Sequence, residues 1–303
     1  MYKKLNIFLV SVVTTTSLLK ADPTDSYGKT NNANEVDTYQ SVIFTQEDRK
    51  RTIGNDPTNA IIPSKVTKIG KDCFAGCDNL TNISIPTSVS SIGDQCFDGC
   101  YNLTSISIPT SVSSIGYRCF ADCSSLRSID IPINVSALGA DCFDSCSNLA
   151  SISIPTSVSS ISIWCFARCS SLRSIDIPTS VSVLDAKCFT DCSSLTSISI
   201  PTSVTFIGPG CFDRCSSLKS IDIPTCVSAL GNGCFDRCNS LTSITIPKKL
   251  WNKKRLRLSD DIQVHFHEEN EPVQMDIAHQ ENQIGLTDLF EDKSDTFSYG
   301  ENL

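Results

Sequence analysis

Sixteen of the 17 cysteines fall into eight C-x-x-x-C pairs, from Cys73 and Cys77 to Cys234 and Cys238, and only Cys226 stands apart. Thiols at that density could form disulfides, hold a metal as thiolates, or pack as small apolar side chains. If Cys-Phe-x-x-Cys is a helical turn, β-carbons four residues apart lie about 5 to 6 Å from each other. A disulfide needs roughly 3.5 to 4.5 Å, so a bridge within a pair would distort the turn. Two neighbouring pairs could offer zinc four thiolates. A metal site needs to occur only once, however, and these pairs recur around a phenylalanine along most of the chain. Free cysteine is among the most buried residue types. The leading expectation is a core of thiols, with bridges between neighbouring units, and then a metal site, as the alternatives. Cys226 takes the place of a serine and is expected to be the most exposed thiol.

All three histidines, His265, His267 and His279, lie near the C-terminal end. Base-assisted serine or cysteine catalysis therefore has no histidine to draw on between residues 63 and 247, and no catalytic residue is assigned. His265 and His267 would share one face of a strand, but two ligands without a third make a poor metal site. Neither a metal nor a cofactor is expected. Six basic residues between Lys248 and Arg257 form a cationic run that could meet nucleic acid or anionic lipid. The acidic stretch directly downstream argues instead for the solvated face of a cap.

A repeat positions the cysteines. Proline recurs every 23 residues at Pro63, Pro86, Pro109, Pro132, Pro155, Pro178, Pro201, Pro224 and Pro247, and the rest of the unit recurs with it. A fixed period between about 20 and 50 residues marks a solenoid. In the copy from Cys119 to Asp141 the inward set is Cys119, Phe120, Cys123, Leu126, Ile129, Ile131, Val135 and Leu138. Ile129 and Ile131 alternate with Ser128 and Asp130, the period of a half-buried strand, and the proline ends it. One unit buries too little to fold alone. Stacking covers its flat sides and pairs successive strands in parallel at about 4.8 Å.

The unit C-F-x-x-C-S-S-L-x-S-I-x-I-P-T-S-V-S-S-I-G, found with small changes from Cys119 to Gly139 and from Cys165 to Asp185, resembles the BspA-like leucine-rich repeat over residues 60 to 247. The resemblance implies a leucine-rich-repeat solenoid of eight 23-residue repeats plus caps. One face would be a parallel β-sheet and the other short helical turns and loops. It also implies a secreted or cell-surface protein of adhesin-like, protein-binding type, and the motif contains no catalytic residues to carry over. In one respect the chain departs from the family: the position before the phenylalanine, commonly alanine there, is cysteine in every copy here.

Outward positions beside the buried isoleucines differ between copies. Three read basic-Ser-Ile-Asp, placing Arg127 and Asp130, Arg173 and Asp176, and Lys219 and Asp222 on the exposed sheet face. Intervening copies carry Thr-Ser-Ile-Ser or close variants, with Ala150 as one of the exceptions, so a 46-residue period overlies the shorter one. Alternation keeps like charges from stacking one rung apart, where they would repel by roughly 0.9 kcal/mol even in water. These six residues form the candidate binding site, suited to a protein or glycan on a host or neighbouring cell surface. The alternative is a structural or envelope protein cross-linked through its cysteines, with a redox or metal-buffering protein third.

The net charge of −8 is segregated: residues 268 to 303 carry −9, residues 248 to 257 carry +6, and the array carries −3. Lys3 and Lys4, the apolar run Leu5 to Val13, and Ala21 make a secretory signal over residues 1–21. No later segment is apolar enough to span a membrane, so neither membrane insertion after cleavage nor nucleic-acid binding is expected. The remaining boundaries are a disordered linker at 22–41, an N-terminal cap with a partial repeat at 42–62, the array at 63–247, a C-terminal cap at 248–267 and an acidic disordered tail at 268–303. Trp251 and the leucines around it, followed by a strand or hairpin, are expected to close the core.

Overall fold

In the computed structural model, which describes residues 42–267, the units stack as a parallel β-solenoid around a continuous hydrophobic core. Pairings inside the array join residues 23 apart, as in Ser91 with Ser114, Ser128 with Ser151 and Ser220 with Ser243. The strands before the prolines form a front ladder: Asn59–Ile61, Asn82–Ser84, Ser128–Asp130, Ser151–Ser153, Ser220–Asp222 and Ser243–Ile246. Single bridges extend it at Ser84–Ser107, Ser105–Ser128 and Asp176–Ser199. Along it the isoleucines face the core and the serines and aspartates face solvent.

A second ladder runs through short segments beyond each proline, among them Lys68–Ile69, Ser91–Ile92, Ser114–Ile115, Ser160–Ile161 and Val183–Leu184. The sequence pattern does not disclose it, because a strand of two residues is too short to show alternation. Serines of the intervening turn tie it down: Ser88 Oγ donates to Val66 O at 2.7 Å, and Ser180 Oγ to Val158 O at 2.6 Å.

The expected helical turns are not found between residues 63 and 247. Cys-Phe-x-x-Cys is instead a turn in which the residue before each cysteine is left-handed, as in Arg118 (φ 49°) and Asp122 (φ 58°). A helical turn would bond its N–H groups to carbonyls within the same unit. The left-handed residues turn these donors along the stack, so that Phe97 N–H donates to Cys119 O at 2.8 Å and Gly99 N–H to Ala121 O at 2.9 Å. The same geometry stacks the phenylalanines from Phe74 to Phe235 with ring centroids 5.3 to 5.8 Å apart.

Each end of the stack supplies the partners that a missing neighbour would have given. Cys73 O has no preceding unit to donate to it, and Arg49, buried on the short helix Gln46–Thr52, fills that role through Nε at 2.7 Å. Thr45 and Asp48 form a capping box that starts the helix. At the other end Gly233 N–H donates to Arg255 O at 2.8 Å, Leu250 and Leu256 bury against the last unit, and Trp251 packs on the core. Gln263–Phe266 pairs in parallel with Ser243–Ile246 and does not form a hairpin. No helix among the described residues is long and apolar enough to cross a membrane. The signal peptide, the 22–41 linker, the acidic tail and His279 lie outside the described residues.

Candidate binding face

The sixteen paired cysteines are buried free thiols, and Cys226 is half-buried. The second cysteine of each pair has a defined partner. Cys77 faces Asn55 O at 3.9 Å, and in every later pair the S–H donates to the phenylalanine carbonyl of the preceding unit, from Cys100 on Phe74 O (3.2 Å) to Cys238 on Phe212 O (3.0 Å). Removal from water disfavours the thiolate and pushes the thiols up, Cys142 to about 12. Cys226 replaces one of the turn serines and donates to Val204 O at 3.4 Å, so it keeps the contact the serines make. Cys188 and Cys211 place their sulfurs 3.3 Å apart, well beyond the roughly 2.05 Å of a disulfide. No group of three or more His, Cys, Asp or Glu among the described residues is placed to hold a metal. His267 Nε2 lies 2.9 Å from Asp222 Oδ1 and 2.9 Å from Ile223 O.

Arg127, Asp130, Arg173, Asp176, Lys219 and Asp222 are all exposed on the front of the stack. Asp130 ends the strand Ser128–Asp130, Asp222 ends Ser220–Asp222, and Asp176 makes the bridge to Ser199. The side chains of Arg127, Arg173, Lys219, Asp130 and Asp176 have no hydrogen bond or ion pair among the described residues. Asp222 is the exception, through His267.

Two of these six share a concavity. Arg127 and Arg173 flank a cleft of about 600 Å³ completed by Asn148, Ala150, Ser171 and Ser194. Its origin lies in the backbone. Ser151–Ser153 pairs with Ser128–Asp130 before it, but no bridge joins it to Asp176 after it. Ala150 N–H donates to Arg127 O at 2.9 Å and Thr196 N–H to Arg173 O at 3.0 Å, whereas no such bond joins Arg173 to Ala150. Behind this opening Ile152 and Ile154 are only partly buried. The second ladder also parts nearby: Leu138 bridges Ile115 but not Ile161, and Ser162 Oγ supplies the link to Leu138 O at 2.8 Å.

The turn side carries a second set of charges that the sequence reading did not single out, and most of these are paired, Arg237 being an exception. Arg118 contacts Asp98 (3.2 Å), Asp122 (3.1 Å) and Asp144 (3.8 Å). Arg168 bonds to Asp144, Arg214 to Asp191 and Arg257 to Asp236. Asp144 is 1% exposed, and burial pushes its carboxyl up to about 6 despite the pull of Arg168 and Arg118. Trp164, left-handed at φ 57°, stands under Lys187 with Nζ 4.6 Å from the ring centroid. The available signal was charge recurring beside the cysteines at the repeat period.

The model of the BspA type leucine rich repeat region matches residues 54–173 and 136–255. A leucine-rich repeat protein from Eubacterium ventriosum is 29% identical over 58% of this chain and 47% of its own, with a TM-score of 0.53. The match thus spans less than half of that protein. A leucine rich repeat protein of T. pallidum is 32% identical over 53% of this chain and 78% of its own, with a TM-score of 0.51. No curated protein matches. The family model alone covers about two thirds of the sequence, and its period is the one that sets every ladder described above. The chain belongs to the BspA-type leucine-rich repeat family.

Proposed function

We propose that this chain is a secreted or cell-surface binding protein, adhesin-like and non-catalytic, that engages a macromolecular partner through its front face. One contrast carries the reading. On the turn side four of the five arginines, Arg118, Arg168, Arg214 and Arg257, are paired with aspartate, Arg237 being the exception, whereas on the front Arg127, Arg173 and Lys219 all have no partner among the described residues. Repeated unpaired cations on an ordered, stacked surface suit it to a ligand of complementary charge. The signal-like N-terminus, Met1 to Ala21, supports export. Cross-linking into an envelope is the weaker reading, since sixteen thiols are buried and only Cys226 is placed to reach another chain.

The test is binding of the full chain to panels of immobilised surface proteins and glycans, compared with a variant carrying Arg127→Ala, Arg173→Ala and Lys219→Ala. The expected outcome is a partner bound by the parent and weakened at least about tenfold in the variant, or about 1.4 kcal/mol. Unchanged binding by the variant would remove the front face from the function.

A further inference from the structure

We propose that the cleft between Arg127 and Arg173 is a subsite for the anionic groups of an acidic polysaccharide. The inference rests on the reading of the front face as a binding surface and adds what that surface recognises. Two rungs separate the arginines, roughly 9.6 Å at the spacing of paired strands. Both guanidiniums border one concavity and neither has a partner among the described residues. Guanidinium is the side chain best matched to carboxylate and sulfate, because its planar fork donates two parallel hydrogen bonds. Two unpaired cations at one cleft also reinforce each other's attraction for an anion.

The floor is specific to this place. The units two rungs away on either side carry Thr104 and Thr196 where this one carries Ala150, and the front ladder parts just beyond it. Loss of a hydroxyl and a methyl at the point where two rungs separate leaves the volume of about 600 Å³. Thr196 shows what a threonine does at this position: its Oγ1 turns back to Arg173 O at 3.3 Å and occupies the space between rungs.

The walls favour a sugar over a peptide. Ser147 and Ser170, just outside the cleft, spend their hydroxyls on Ser124 O and Ser147 O. Ser171 and Ser194, which line it, make no side-chain hydrogen bond among the described residues, and neither does the Asn148 amide. Free hydroxyls and an amide serve sugar hydroxyls as donors and acceptors. Peptide recognition ordinarily centres on an aromatic or aliphatic anchor in a pocket, and the lining holds no apolar side chain larger than Ala150.

The experiment measures binding of the full chain to a fluorescent, size-defined heparin oligosaccharide by anisotropy, with neutral dextran, polyglutamate and anionic vesicles as competitors. Saturable binding is expected that weakens with salt and is displaced by unlabelled heparin but not by dextran, polyglutamate or vesicles. Arg127→Ala with Arg173→Ala should weaken it roughly tenfold or more. Ala150→Thr should weaken it several-fold with no change of charge, because it restores the threonine that the other alternate units carry, as at Thr104 and Thr196. Arg237→Ala, an exposed cation on the turn side, should leave affinity within about twofold. Absence of heparin binding, displacement by polyglutamate or vesicles as effective as by heparin, or parent-like affinity in Ala150→Thr and the arginine variant would each overturn the proposal. A protein ligand lost on removing Arg127 and Arg173, with no heparin binding, would overturn the polysaccharide assignment and leave the front-face function standing.

Discussion

Cysteine in two columns of every unit gives the core a chemistry that alanine would not. The second column uses its thiol as a donor to the phenylalanine carbonyl one unit back, a bond repeated from Cys100 to Cys238. Burial raises the thiols, to about 12 at Cys73, Cys142, Cys234 and Cys238. The folded chain therefore holds protons that the unfolded chain releases. The corresponding stability is complete below the unfolded thiol pKa of about 8.5 and is lost progressively as pH rises above it. Urea midpoints should accordingly stay level from about pH 6 to 8 and fall steeply by about pH 10, and a level profile across that range would contradict a core of thiols. In the native chain a thiol reagent should react fastest at Cys226, and all 17 thiols should react in denaturant. A shortfall in denaturant would mean bridges and would favour the cross-linked envelope. Burial of these residues was legible from their recurrence beside Phe and Leu. The hydrogen bond was not, since it depends on a residue 26 positions away.

At the scale of the element, the two ladders and the turn side differ in how much the sequence disclosed. The front ladder was legible because Ile-x-Ile-Pro shows both alternation and a stop. Two-residue strands hid the second ladder. On the turn side the left-handed residues include Gln95, Arg118, Trp164 and Lys187, none of which announces that backbone as glycine does. Glycine is informative for another reason at Gly116, where a β-carbon would stand 2.5 Å from Asp94 N. Gly76 differs: it is left-handed at φ 64° and has open space around it. Gly116→Asn is therefore expected to lower stability by about 2 kcal/mol or more through overpacking against the preceding unit. Gly76→Asn should stay within about 1 kcal/mol, since asparagine tolerates left-handed backbone. Urea unfolding of both variants is the check, and equal losses would mean that the chain at Gly116 does not stack so closely on the preceding unit. Ser162 and Asp185 occupy the position equivalent to Gly116 in the two units that flank the parted front ladder. The cleft, likewise, was only half legible. Arg127, Arg173 and the Ala150 exception stand in the sequence, but the separation of the rungs that joins them is a property of backbone bonds.

Across the whole molecule, stability is carried by contacts between adjacent units, because each phenylalanine stacks only on the ring before and the ring after. Phe143 lies 5.4 Å from Phe120 and 5.5 Å from Phe166, whereas Phe235 stacks on Phe212 alone and meets the cap on its other side. Truncating either ring to alanine removes a fully buried aromatic, at about 3 to 5 kcal/mol. The consequences should nonetheless differ. Phe143→Ala weakens two interfaces in the middle of the stack, close to where both ladders already part, so the halves on either side lose the coupling that makes them unfold together. Equilibrium unfolding of this variant should separate into two transitions. Phe235→Ala should keep one main transition, with early loss of hydrogen-exchange protection confined to the units after Pro224. A single sharp transition for Phe143→Ala, with protection lost evenly from Ile69 to Ile244, would show that coupling through the backbone ladders exceeds coupling through the ring stack.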